Sequence, residues 1–299
     1  MQIDSLLTDR IARRQSIALI LGSMLCFAIV DALGKLVALS YPANEVTFFR
    51  MFFGVVPALA VCLRGRSIAA RIRNLDVRGQ AIRALTLIGA SALFFAGLPY
   101  LPLSEAVAIV YSEALFVIVL APFLLRERLL VRNAIAALIG FIGVLLVVRP
   151  QGAQSSWIGP ALLISSAVCG ALSMIQILRI RSSDDSGMTV LFFTVVGTLV
   201  TGVSLFFAWR LPTIMDLVIM ALLAAFATIG QLLFTIAVRR SDAAVLAPYT
   251  YTSIIWATLF GYVLWGETLS IVAIVGIALI VGSAIAVAIR EQPPEGPAT

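Results

Sequence analysis

The sequence predicts an all-α integral membrane protein: ten transmembrane helices in two inverted five-helix repeats. Three observations predict it. Of the 299 residues, 61% are hydrophobic and only 12% charged, whereas a soluble domain is about half apolar and about a quarter charged. The apolar residues come in runs of about 20, the length that crosses a bilayer core as a helix. The basic residues fall almost entirely on alternate breaks between those runs. A water-soluble fold of this length has no interior large enough for such an excess. That excludes a cytosolic enzyme, a secreted disulfide scaffold and a disordered chain.

The runs place helices at 17–39, 44–63, 79–98, 104–125, 131–148, 156–178, 187–209, 216–238, 243–264 and 270–289. They are too long and too continuously apolar for barrel strands of about 10 residues. When successive breaks are assigned to alternate sides, sixteen of the 21 Lys and Arg fall on one side. These are Arg10, Arg13 and Arg14, the cluster from Arg64 to Arg78, Arg126, Arg128 and Arg132, then Arg179, Arg181, Arg239, Arg240 and Arg290. Only Arg149 and Arg210 fall on the other, and Lys35, Arg50 and Arg83 lie inside runs. Basic loops stay in the cytoplasm, so both termini are expected there, in a multi-pass protein of the cell inner (plasma) membrane. The same bias explains the net charge of +6 without nucleic acid as a partner. The basic 64–78 loop suits anionic lipid headgroups, and Trp157, Trp209 and Trp265 sit at outer span ends as interfacial anchors do.

The first run follows basic residues, as a signal peptide would. It is 23 residues long, contains Asp31 and Lys35 and lacks a small-residue cleavage site, so it reads as a retained helix. The expected organisation is a cytoplasmic segment 1–16, a first repeat 17–150, a second repeat 151–290 and a disordered cytoplasmic tail 291–299 with Pro293, Pro294 and Pro297.

Catalytic equipment is sparse. There is no histidine, which removes the Ser-His-Asp triad, HExxH zinc sites and imidazole relays. Cys26, Cys62 and Cys169 all lie in apolar runs with no CxxC pair, so no metal site or cofactor is expected. A GxxxxGK[ST] loop is also missing, so ATP does not drive the protein directly.

The chain resembles itself at a spacing of about 140 residues, as the duplicated halves of membrane carriers do. Tyr111-Ser112-Glu113 and Leu125-Arg126-Glu127-Arg128-Leu129 correspond to Tyr251-Thr252-Ser253 and Trp265-Gly266-Glu267-Thr268-Leu269. Ser104-Glu105-Ala106 corresponds to Ser241-Asp242-Ala243, and Phe48-Phe49 to Phe192-Phe193. Five spans per half is an odd number, so the second half enters the membrane from the opposite side. Inverted repeats place a substrate site near the midplane and alternate its access by rocking one half against the other. The reading is a carrier, not an enzyme. A channel, or a sensor or scaffold without flux, remains as a rival.

Ala247-Pro248-Tyr249, Trp256-Ala257, Gly266-Glu267-Thr268-Leu269, Gly276 and Gly282 in the second half resemble the drug/metabolite transporter superfamily, EamA type. Pro42 followed by Arg50, and Glu127, carry the likeness into the first half; Ser112-Glu113 stands where many members have Ser-Pro. Within that superfamily the chain is most similar to bacterial aromatic amino-acid exporters (YddG-like). The resemblance implies export of small metabolites, amino acids first among them. Riboflavin, S-adenosylmethionine and nucleotide-type solutes or drugs are the alternatives.

Charges at the bilayer centre are costly and face a cavity or a partner. Asp31 and Lys35, four residues apart, share a helix face, and with Arg50 they are expected to form an intramembrane charge cluster. It either locks spans one and two together or meets a charged substrate group. Glu113, midway along span four beside Tyr111, is expected to contact a substrate amine or carry a proton, or else to be a packing residue. In the second half Tyr249, Thr252, Ser253 and Trp256 lie at i, i+3, i+4 and i+7, one helical stripe. With Gln231 they are candidates for the cavity wall, against ordinary helix packing. Pro248 is expected to hinge or kink span nine. Gly140 and Gly143, and Ala278, Gly282 and Ala286, are expected to allow close helix contact within the chain, or across a weak homodimer in place of a monomer. Glu127 and Glu267 read as loop or cap residues.

Overall fold

Helix α1 (Gln2–Ala38) meets no Gly or Pro before Gly22 and therefore starts well before the apolar run. It ends where Pro42 disfavours helical backbone in the residue before it. The computed structural model describes residues 2–63, 76–125, 131–148, 157–180, 186–240 and 243–290. The basic stretch 64–75, Arg126 to Arg128 with Glu127, Arg149, Arg181, Ser241-Asp242 and the tail 291–299 lie outside the described residues.

The other helices follow from their own signals. Helix α2 (Ala43–Leu63) starts on the Pro42 carbonyl, which accepts from the amides of Glu45 and Val46. Asp76 caps α3 (Val77–Gly97) by accepting from the Gly79 amide at 3.0 Å. One 3₁₀ turn, Leu98–Tyr100, leads to α4 (Leu103–Val110), then α5 (Glu113–Leu125) and α6 (Val131–Val147). The second half holds α7 (Ile158–Arg179), α8 (Ser186–Ser204), α9 (Ile214–Arg240), α10 (Ala243–Thr250), α11 (Thr252–Trp265) and α12 (Ile271–Arg290). Thr213 caps α9: its hydroxyl accepts from the Asp216 amide at 3.2 Å and donates to that residue's carboxylate at 2.6 Å. Gly266, at φ +66°, closes α11 in the left-handed conformation that glycine adopts without strain.

These helices make ten crossings, with no strand among the described residues. Seven are long and apolar enough on their own; α6 and α12 are shorter apolar helices, and α10 with α11 makes the ninth crossing. Val56, Phe123, Leu145, Leu199 and Val263 point outward and exposed, as side chains facing acyl chains do. The chain is a multi-pass membrane protein. With ten crossings, the start of α1 and the last residue of α12 lie at one end of the bundle, here the termini's end; the opposite is the far end.

The halves interlock. Crossing 1 packs on crossing 8, crossing 3 on 6, 2 on 7 and 5 on 10. Exchanging the halves maps the first pair onto the second and leaves the other two in place. Two buried hydroxyls obey the same exchange. Ser23 donates to the Gly230 carbonyl at 2.8 Å, between crossings 1 and 8; Ser166 donates to the Ala90 carbonyl at 2.7 Å, between crossings 6 and 3. Such bonds in membranes contribute about 0.6 kcal/mol on average.

Three expectations change. Crossings four and nine are not single helices: each breaks near its middle, at Tyr111-Ser112 and at Tyr251. At both breaks a hydroxyl takes the carbonyl three residues back, Ser112 to Ile109 at 2.6 Å and Thr252 to Tyr249 at 2.7 Å. The side chain thus satisfies backbone that the helix has released. Crossing seven ends at Ser204, not 209, because the Asn44 amide donates to the carbonyls of Ser204 and Ala208 and the chain turns through Leu205–Phe207. On α12 the close-contact face is Gly276 and Ser283. Gly143 of α6 approaches Gly276, and Gly140 approaches Ser283 as expected, whereas Ala278, Gly282 and Ala286 face outward, exposed.

A Cβ added at Gly143 would lie 2.6 Å from the Gly276 carbonyl oxygen, whereas one at Gly282 would meet open space. Gly143→Val is expected to destabilise the protein by about 1–3 kcal/mol through overpacking. Thermal unfolding in detergent should show a lower Tm for Gly143→Val and an unchanged one for Gly282→Val.

Candidate functional site

The two helix breaks meet in the middle of the bundle. The rings of Tyr111 and Tyr251 lie 5.9 Å apart at 52°. Beside them is a cavity of about 450 Å³, a volume suited to a small organic ligand. It reaches Ile177, Val238 and Leu246, all within a turn or so of their helices' ends at the termini's end. The lining residues nearest the far end, Phe95 of α3 and Val107 of α4, are each only 1% exposed, so the cavity extends toward the termini's end and is covered by buried side chains at the other. Most of its wall is apolar and aromatic, with Phe27, Phe94, Phe95 and Phe234 among the rings.

Among the described residues, charge in this wall comes from the first half: Asp31, Arg50, Arg83 and Glu113. Arg50 Nη1 donates to Ser91 Oγ at 2.5 Å, and its guanidinium lies 5.8 Å from the Phe95 ring. The Asp31 carboxylate attracts Arg50 across the wall. Glu113 is the first residue of α5, where unbonded amides favour negative charge. Its carboxylate rests against Gly170 of α7, and any Cβ there would collide with it. No cation within ion-pair distance faces Glu113 among the described residues.

Of the candidates read from the sequence, Tyr111, Glu113 and Gln231 line the cavity, as do Asp31 and Arg50. Tyr111 also donates to the Met24 sulfur at 3.3 Å. Lys35 leaves the expected cluster. One helical turn beyond Asp31, about 6 Å along the axis, the cavity has ended, and Lys35 is buried beside Glu267 instead. Tyr249, Thr252, Ser253 and Trp256 are not in the cavity wall. Tyr249 packs beside Ile20, Met24 and Leu246, Ser253 is buried, and Trp256 stacks on Phe260 at 6.5 Å. The stripe presumed an unbroken helix; the break at Tyr251 puts Thr250 and Tyr251 in the wall in its place.

The sequence reading missed Arg83 and the face Ser166, Gly170 and Ser173. Arg83 had been counted inside a span but not followed further. The three α7 residues recur at i, i+4 and i+7, one helical stripe, and that signal was available. Ser173 donates to the Arg83 carbonyl at 3.4 Å, which seats α7 against α3. Among the described residues no cluster of three or more metal-ligating side chains occurs, and Cys26, Cys62 and Cys169 are free thiols.

The family model of the EamA-like transporter family matches residues 14–149 and 157–289, one match per half. The chain belongs to that family. It is 26% identical over 283 residues to an uncharacterized transporter of Helicobacter pylori, covering 91% of this chain and 94% of that one. A pseudopaline exporter, CntI, of Pseudomonas aeruginosa is 25% identical over 264 residues, covering 87% and 91%. An S-adenosylmethionine uptake transporter of Rickettsia bellii is 24% identical over 240 residues, covering 79% and 80%. A crystal structure superposes with a TM-score of 0.61 at 19% identity, over 91% of this chain and 99% of that chain.

The cavity's position is open to direct measurement. With Cys26, Cys62 and Cys169 replaced by Ala, Met174→Cys in the wall should react with a methanethiosulfonate reagent supplied from the termini's side. Ser253→Cys, buried and outside the wall, should stay unmodified over the same interval.

Proposed function

We propose that this member of the EamA-like transporter family is a secondary carrier of small amino-acid-like metabolites, working by alternating access around the central cavity. The observation that carries the reading is Glu113: a carboxylate in the wall of a 450 Å³ midplane cavity with no facing cation among the described residues. Such a group suits an ammonium that arrives with the solute, because an unpaired charge in a low-dielectric site is costly until it is matched. Arg50, and Arg83 nearer the termini's end, can receive a carboxylate, and the aromatic rings suit a bulky apolar body. A zwitterion with such a body matches the balanced charges of the wall.

The Arg-rich breaks support a cytoplasmic location for the termini's end of an inner-membrane protein, with the cavity loaded from that side. A carrier without a nucleotide motif runs down whatever gradient it meets. Outward flux of metabolites made inside is the direction proposed here. The relatives include both an uptake transporter and an exporter, in keeping with a reversible mechanism. A second reading, a carrier of S-adenosylmethionine, is favoured by the names of four relatives from different Rickettsia species.

Counterflow in proteoliposomes separates the readings. Vesicles loaded with one unlabelled amino acid should accumulate the same labelled compound, across a panel weighted to aromatic and other bulky neutral amino acids. Accumulation of S-adenosylmethionine alone would select the second reading, and no flux of any solute would leave a sensor or scaffold. For whichever ammonium-bearing solute is carried, Glu113→Gln is expected to lower the counterflow rate at least about tenfold, the worth of one charge-assisted contact.

A further inference from the structure

One ion pair at the far end has no part in the cavity. Lys35 lies three residues before the end of α1, and Glu267 directly follows the Gly266 cap of α11. Lys35 Nζ donates to Glu267 Oε1, and to the Leu101 carbonyl at 2.9 Å. The ammonium also lies 5.1 Å from the Trp265 ring. The other oxygen of Glu267 accepts from the Leu103 amide at 2.7 Å, at the first residue of α4. The two side chains are only 6% and 17% exposed. Gly261 makes room for the carboxylate, since a Cβ there would lie 2.7 Å from Glu267 Oε2.

Glu267, from the second half, thus joins Lys35 of α1 and the first amide of α4, both from the first half, to the end of α11, while Lys35 also holds the Leu101 carbonyl of the α3–α4 connection. The cavity lies on the termini's side of this knot. A path from the cavity to the far side between α1, α4 and α11 has to pass it.

We propose that Lys35 and Glu267 are the far-side gate of the carrier, a latch between the halves whose rupture is required before the cavity can open away from the termini. The proposal rests on the alternating-access reading but not on any particular solute. In the latched state both charges are buried and satisfied by each other. Opening exposes both to water, which solvates them separately, so the two states exchange one set of favourable contacts for another. The buried Glu105 carboxylate lies close enough to attract Lys35 and repel Glu267, so without Glu267 the buried Lys35 keeps a poorer match, and without Lys35 the buried Glu267 faces a like charge, in the latched state only. That shifts the population toward the state open to the far side. Neither residue touches the cavity wall, so a gate defect differs from a binding defect.

Labelling tests this without a substrate. In the background lacking Cys26, Cys62 and Cys169, Val107→Cys places a thiol on the cavity wall in α4, buried at 1% exposure and nearer the far end than the breaks. An impermeant methanethiosulfonate reagent is added from the far side of sealed vesicles. With Lys35 and Glu267 intact the rate should be low. Lys35→Met and Glu267→Gln should each raise it at least about tenfold, while Lys35→Arg, which keeps the charge, should stay within about twofold of the parent. Glu267→Gln keeps an acceptor for the Leu103 amide, so it reports the charge pair even if Lys35→Met fails to fold. Unchanged far-side labelling in folded Glu267→Gln protein would overturn the gate. Raised labelling with no counterflow of any solute would keep the gate and overturn the carrier reading alone.

Discussion

The bilayer core offers no water to a broken helix, and the whole arrangement follows from that. Released amides and carbonyls at Tyr111-Ser112 and at Tyr251 need partners inside the protein. Part of the answer is local: the hydroxyls of Ser112 and Thr252 each take a carbonyl three residues back. The rest is positional. The two breaks are brought face to face, tyrosine ring against tyrosine ring, where irregular backbone borders a cavity and not lipid. Interrupted helices are tolerated at membrane depth in that setting, and there their free ends can act on a ligand. Crossings 1, 3, 6 and 8, paired by the Ser23 and Ser166 bonds, then form the frame that holds the breaks at that depth.

The duplicated halves have diverged in chemistry while keeping their packing. Ser23 and Ser166 still play the same part on exchange of the halves, and so do Ser112 and Thr252. Charge does not follow. Glu113 corresponds in the repeat to Ser253, and Arg50 directly follows Phe48-Phe49 where Thr194 directly follows Phe192-Phe193. The first half therefore brings the charges, and the second brings Gln231, Thr250 and Tyr251. A solute lying between them meets a charged wall on one side and neutral hydrogen-bonding groups on the other. An asymmetric molecule, polar at one end and apolar over its body, is what such a wall can orient.

Most of the fold was legible in the sequence because bilayer thickness fixes span length and basic residues mark alternate breaks. Ten runs became ten crossings. The site was legible only where the signal was local to one span. Glu113 and Asp31 stood out because a charge amid apolar residues has few uses, and both line the cavity. Tyr249 to Trp256 failed for the converse reason: a periodic stripe presumes an unbroken helix, and the hinge expected from Pro248, which the structure places three residues on at Tyr251, was not carried into the stripe. Span four breaks at Tyr111-Ser112 with no proline at the break, so there Pro positions give no signal. Lys35 was assigned to the nearest charges along the chain, Asp31 and Arg50, because its partner is 232 residues away. Glu267 was read as a cap and does cap, accepting from an amide, but from Leu103 in the other half of the chain.

The far end carries more ties than Lys35 and Glu267. The Tyr41 hydroxyl donates to Asp216, and the Arg210 amide and side chain reach Glu45 and the Ser40 carbonyl. These join the connection between crossings 1 and 2 to that between 7 and 8, two pairs that already pack together along their length. They belong to the frame and need not break when a cavity bounded by crossings 4 and 9 changes the side to which it opens. The Lys35–Glu267 pair is different because it joins crossing 1 of the frame to the end of the interrupted crossing 9, whose Glu267 also takes the first amide of the interrupted crossing 4. Frame and moving part can thus be told apart by what each polar contact connects. A tie between crossings that pack side by side throughout adds rigidity. A tie that gathers the end of a broken helix from one half and the start of one from the other is placed where motion would have to begin.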